Sequence, residues 1–113
     1  MALAPVRFGP VAGVTSYSNT TSGRYTPSGS TNAVVKQIIV CNTAATASTV
    51  TLGIYTSTSG GSDLAAQRIL SSMTIAANET MTYNTNIYVA NGSIVYFVTG
   101  ATTVTVTINA YEE

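Results

Sequence analysis

The stretch AVVKQIIVCN, residues 33 to 42, constrains the fold more than any other part of the chain. Its Val, Ile and Cys content suits a pleated, packed strand. Read that way, Val34, Ile38 and Val40 lie on one side with Lys36, and Val35, Ile39 and Cys41 lie on the other with Gln37. A strand with one wet face alternates apolar and polar side chains. This one is apolar on both sides, so its second face needs a cover. SIVYFV, residues 93 to 98, poses the same demand through Val95 and Phe97.

The remaining pattern is also that of a β protein. In STVTLGIYT, Val50, Leu52 and Ile54 alternate with Thr49, Thr51 and Tyr55, as in a strand with one solvated face. QRILSSMTI sets Ile69, Ser71, Met73 and Ile75 against Leu70, Ser72 and Thr74, which predicts a strand from Arg68 onward. TMTYNT and IYVA read as two short strands or one bent one. Asn91-Gly92 is a tight-turn signal before SIVYFV. After Gly100, Val104, Val106 and Ile108 alternate with Thr105 and Thr107. DLAAQRIL is the one place for a helical turn, and it is short for an independent helix. Short strands separated by turn signals predict an all-β fold, an antiparallel β-sandwich or jelly-roll-like domain, over residues 14–113. Residues 1–13 hold two prolines and two glycines without a period and read as an extended N-terminal arm, with Val6 and Phe8 as apolar anchors.

Charge narrows the function classes. Only 7% of the 113 residues are charged, and four basic and four acidic side chains cancel; about 25% is usual. A phosphate backbone would find almost nothing to neutralise it, so nucleic acid is not an expected partner. Low charge also removes the repulsion that keeps copies apart, which points to assembly. No run approaches the roughly 18 apolar residues of a membrane span, and MALAPVRFGPVAG is broken by Pro5, Arg7 and Pro10, so no secretory signal or membrane association is expected.

The chain has no histidine, the commonest general base and neutral metal ligand. Its carboxylates are Asp63, Glu79, Glu112 and Glu113, with no spacing that suggests a facing catalytic pair or an oxygen cage for calcium. Cys41, the single cysteine, lies in an apolar run and reads as a small buried hydrophobe. The expectation is a protein that is not an enzyme and that uses neither cofactor nor metal.

Tyr25, Pro27 and Gly29, followed by Val34, Val35, Lys36, Ile38, Val40, Cys41, Asn42 and Thr43, resemble the start of small β-rich virion proteins of tailed bacteriophages. In that family a Tyr-x-x-Pro-x-Gly turn leads into a Val-Val-Lys-x-Ile-x-Val-Cys-Asn-Thr strand; here the turn is one residue shorter. The IAANET turn and the closing Val-Thr-Val strand are similar too, so the likeness runs over residues 24 to 111. Such proteins serve as head decoration, head fibre or minor tail components. The resemblance implies a non-catalytic virion role, with synthesis in the cytoplasm of the host bacterium.

Two functional readings follow. In the first, the chain is a capsid decoration protein that assembles as a small homo-oligomer, a trimer. Val35, Gln37, Ile39, Cys41, Val95 and Phe97 form the subunit interface. Val6, Arg7 and Phe8 of the arm rest on the major capsid protein or another virion protein. In the alternative, it is a minor tail, tail-tip or fibre module that touches the host surface, a glycan included, through Tyr55 and the loop from Ser57 to Ser62.

Overall fold

The computed structural model describes residues 3–15, 24–55 and 68–113. They form eight strands: β1 (Ala4–Ala12), β2 (Arg24–Tyr25), β3 (Ala33–Asn42), β4 (Ser48–Tyr55), β5 (Arg68–Ile75), β6 (Thr80–Val89), β7 (Ile94–Thr99) and β8 (Val104–Glu112). No helix occurs among the described residues. The strands build two four-stranded sheets, A in the order β1-β8-β3-β6 and B in the order β2-β7-β4-β5.

Every neighbouring pair is antiparallel. β1 pairs with β8, β2 with β7, β3 with β6 and β4 with β5, so the chain is one long hairpin rolled up around its core. This is the jelly roll, a double-sheet solution to packing many antiparallel strands. Asn91-Gly92 does form a turn, with Gly92 at φ 89°, where a side chain would be strained. The turn does not close a ladder. It carries the chain from sheet A to sheet B.

The core lies between the sheets. Val104, Val106 and Ile108 of β8 enter it as their alternation predicts, opposite Val50 and Leu52 of β4 and Val95 and Phe97 of β7. Thr51 and Gly53 of β4 are buried as well, so that strand has less wet surface than its pattern suggests. β5 departs further from alternation. Its register against β4 shifts twice, Ser72 has φ 49°, and Ile69 and Met73 stay exposed while Ile75 is fully buried.

β3 answers the question its sequence raises. Opposite β8, Val35 pairs with Ala110 and Gln37 with Asn109, so Lys36 is an extra residue, a β-bulge. The bulge changes the alternation mid-strand. Ala33 and Val35 before it, and Ile38 and Val40 after it, all face the core. The expected sides are therefore corrected: Val35 is a core residue, Gln37, Ile39 and Cys41 of its group face outward, and Val34 joins them. The Thr85 hydroxyl donates to the Val35 carbonyl at 2.7 Å, holding the bulge. In β7, Val95 and Phe97 belong to the core, and Ile94 and Tyr96 on the strand's other side are buried by the chain itself. Neither Val95 nor Phe97 is available to a neighbouring subunit.

Residues 4–12 correct the reading of a free arm. They form the edge strand β1, paired with β8 from Ala4–Glu112 to Ala12–Thr105. Val6, Phe8 and Val11 pack on the core, and the Phe8 ring meets Tyr25 and Phe97 at centroid distances of 5.8 and 6.3 Å. The sandwich thus begins at β1, not at residue 14. The prolines and glycines that suggested an arm shape a bulge instead. Gly9 has φ 97°, and a Cβ there would lie 2.5 Å from the Val106 carbonyl oxygen. Phe8→Ala should lower stability by about 2 kcal/mol, since a half-buried ring and its aromatic contacts are lost. Urea unfolding measures this, and a free arm would give no change.

Candidate functional site

The outer face of sheet A carries a groove of about 730 Å³. All four strands contribute: Pro5 and Arg7 from β1, Asn109 and Tyr111 from β8, Lys36 and Gln37 from β3, and Asn84 and Asn86 from β6. Arg7 pairs with Asn109, Asn109 with Gln37, and Gln37 with Asn84, so these side chains form one row across the sheet. Asn109 Nδ2 donates to Gln37 Oε1 at 2.9 Å, and Gln37 Nε2 donates to Asn84 Oδ1 at 3.3 Å. Beside this row, Lys36 Nζ donates to Asn86 Oδ1.

The β3 bulge makes this row possible. A regular strand would send Lys36 and Gln37 to opposite faces. With the extra residue, both line the groove. The groove therefore holds two of the chain's four cationic side chains. No carboxylate of the described residues lines it. Its Tyr111 is 41% exposed, an aromatic platform at one side. Such a lining supplies hydrogen-bond donors and acceptors, two fixed positive charges and an apolar ring.

A carboxylate does occupy the space between β1 and β2, where a second concavity is lined by Arg7, Arg24, Tyr25, Ser28 and Glu112. Glu112 is 5% exposed. Its Oε2 accepts from the Tyr25 hydroxyl at 2.5 Å, and its Oε1 accepts from Ser28 Oγ at 2.5 Å, Thr31 Oγ1 at 3.3 Å and the Ser28 amide at 3.4 Å. Burial pushes this carboxyl up, but the bonds from Ser28, Tyr25 and Thr31 outweigh it and hold it below its usual range. Burial, with the Glu112 contact added, raises the Tyr25 phenol well above its ordinary value. This is a structural tie: it pins the turn at residues 25–31 to the end of β8.

The residues expected to act from sequence fare differently. Val35, Val95 and Phe97 are core. Gln37 is in the groove, while Ile39 and Cys41 continue the same outer face, half-buried beside Thr107 and Thr105. Val6 and Phe8, expected on a free arm, point inward and pack half-buried against the core, whereas Arg7 faces the groove. Tyr55 is half-buried at the end of β4 in sheet B, away from the groove, and Ser57 and Ser62 lie outside the described residues. Asn84, Asn86, Asn109 and Tyr111 were not foreseen; their signal is their outward position in β6 and β8, which only the register brings into one row.

No cluster of three or more His, Cys, Asp or Glu side chains suited to a metal occurs among the described residues. No described helix is long and apolar enough to cross a membrane. No protein-family model, curated protein or solved structure matches this chain.

The Glu112 tie makes acid stability predictable. A carboxyl held below its unfolded value contributes stability above the usual carboxylate range, near pH 4.3, and loses it as pH falls through the lower folded value. Glu112→Gln should cost about 1–2 kcal/mol at neutral pH. Its deficit should shrink below about pH 4. Denaturation at both pH values measures the difference, and a constant deficit would mean the charge is immaterial.

Proposed function

We propose that this chain is a non-catalytic structural protein of a bacteriophage particle, a capsid decoration protein that works as a small homo-oligomer. The sequence resemblance over residues 24 to 111 supports the virion assignment. The jelly roll is compatible with it, being a recurrent architecture of viral coat domains. The observation that carries self-association is the open edge of sheet A.

An edge strand presents unpaired amides and carbonyls, and proteins usually blunt it with bulges, Pro, charge or short length. Three of the four edges here are blunted. β1 has Pro5, Arg7 and the Gly9-Pro10 bulge; β2 is 2 residues long; β5 has Arg68 and two register shifts. β6 is different. It runs for 10 residues, TMTYNTNIYV, without Pro, Gly or charge, and its one irregularity is the register shift opposite Lys36, between Asn84 and Ile87. On its inner side, Met81, Tyr83 and Ile87 are packed against the core but only partly buried.

A second copy fits this edge. Two β6 strands paired antiparallel about a two-fold axis at Asn84 place Thr82 against Asn86 and Met81 against Ile87. Thr82 then meets Asn86 on the outer side, and Met81 meets Ile87 and Tyr83 meets Thr85 on the inner side. No like charges face each other at the axis. Sheet A of both copies becomes one eight-stranded sheet, and the contact is isologous, the commonest form of symmetric association. The trimer expected from sequence would instead need a ring contact through the outer face, at Ile39 and Cys41.

Light scattering on the purified chain tests the contact. The mass should be twice that of the 11.6 kDa monomer. It should fall to the monomer in Thr82→Lys, which sets cations beside the axis. A monomeric wild type overturns self-association, and a trimer unaffected by Thr82→Lys moves the contact to the outer face. Mass spectrometry of purified virions of the encoding phage tests the location: the chain should be present at fixed stoichiometry to the major capsid protein.

A further inference from the structure

We propose that the groove across sheet A binds an acidic polysaccharide, one whose sugars carry carboxylates. The groove lies on a sheet face rather than an edge, and neither the fold nor a decoration role requires it.

Charge comes first. Arg7 and Lys36 make half of the chain's Lys and Arg, and they share one concavity that no carboxylate of the described residues lines. Glu112, nearest in sequence to this end of β8, is buried and bound to Tyr25, Ser28 and Thr31. Arg7 also borders the concavity that holds Glu112, and Lys36 donates to the neutral Asn86, but among the described residues neither cation is paired with a carboxylate. A lone carboxylate per sugar suits this arrangement better than a polyphosphate, because the chain as a whole is neutral.

Geometry then favours a sugar over a peptide. Arg7, Asn109, Gln37 and Asn84 stand on four adjacent strands. Neighbouring strands lie about 4.8 Å apart, a spacing comparable to one residue of an extended glycan. Each amide has both donor and acceptor atoms, as neighbouring ring hydroxyls require. Tyr111 and Pro5 offer apolar surface on which a pyranose face can rest. A peptide gains little here, since the backbone of β8 and β3 is already paired on both sides within sheet A. The β3 bulge is the second, independent observation. Bulges re-aim side chains beside functional sites, and this one directs both Lys36 and Gln37 into the groove while Thr85 holds it in place.

The test uses the full chain and oligosaccharides of alginate, a polyuronate, with neutral dextran oligosaccharides and polyglutamate in parallel, all followed by calorimetry. Alginate should bind saturably and dextran should not. Losing a charge-assisted contact costs about tenfold in affinity, so Arg7→Gln and Lys36→Gln should each weaken alginate by about that factor, with unchanged melting temperatures. Asn109→Ala probes the amide row, with the same direction expected. Arg24→Gln, a cation outside the groove, should leave affinity unchanged. Absence of alginate binding overturns the proposal. So does equal weakening by Arg24→Gln, which would mean diffuse attraction. Polyglutamate binding as tightly as alginate overturns it too, by assigning the groove to acidic peptide. Short alginate oligosaccharides read each groove separately, so pairing through the β6 edge leaves these outcomes unchanged.

Discussion

The extra residue at Lys36 decides what sheet A is. Without it, β3 would put Val35 and Ile38 on opposite faces, and one of them would be exposed. With it, Ala33, Val35, Ile38 and Val40 all enter the core, and the two polar residues between them turn outward together. The same device therefore satisfies packing and builds the groove. Its cost is a local break in the ladder, which the Thr85 hydroxyl offsets by donating to the Val35 carbonyl.

Polar side chains tie the two ends of the sandwich. At one end, Asn42 is fully buried; its Nδ2 donates to the carbonyls of Thr46, Ile75 and Ala76, and its Oδ1 accepts from the Ala44 amide. It joins the exit of β3 to the exit of β5, and so links sheet A to sheet B. At the other end, Glu112 gathers the turn after β2, and Asn91 donates to the carbonyls of Gly29 and Thr31 while its amide donates to Asn32 Oδ1. The buried Asn42 and Glu112 would be costly if left unpaired, whereas Asn91 is exposed. Their pairing shows how a jelly roll with so few charges fixes the described turns at its two ends with neutral side chains and one carboxylate.

Much of the fold is visible in the sequence because alternation is a local property. Val104, Val106 and Ile108 announce both a strand and its buried side. The same reasoning fails at β3, because a bulge leaves no mark in residue type; Lys36 is an ordinary strand residue until its neighbours' registers are known. It fails at β1 for a different reason. Pro5, Gly9 and Pro10 look like an irregular arm, yet they sit on an edge strand, where a missing amide or a kink is tolerated. SIVYFV suggested an exposed apolar face because sequence says nothing about cover supplied from far along the chain. The groove was hidden most completely. Asn84, Asn86 and Asn109 read as solvated strand residues, and only pairing across β6, β3 and β8 brings them together.

The open edge and the groove belong to the same sheet without competing for it. Edge pairing uses the outward backbone groups of β6, whereas the groove uses side chains that project from the sheet's face. A two-fold axis perpendicular to sheet A keeps both outer faces on one side of the dimer. The two grooves would then lie side by side, with Asn84 and Asn86 of each copy nearest the seam. A repeating polymer that spans the seam would meet both amide rows in a single bound stretch. Its second contact would be intramolecular, at an effective concentration set by the polymer's own stiffness. Dimerisation would therefore raise the affinity for a long chain and leave that for a short oligosaccharide nearly unchanged. A trimer built through Ile39 and Cys41 would instead cover part of the face on which the groove lies, and would oppose binding at every chain length.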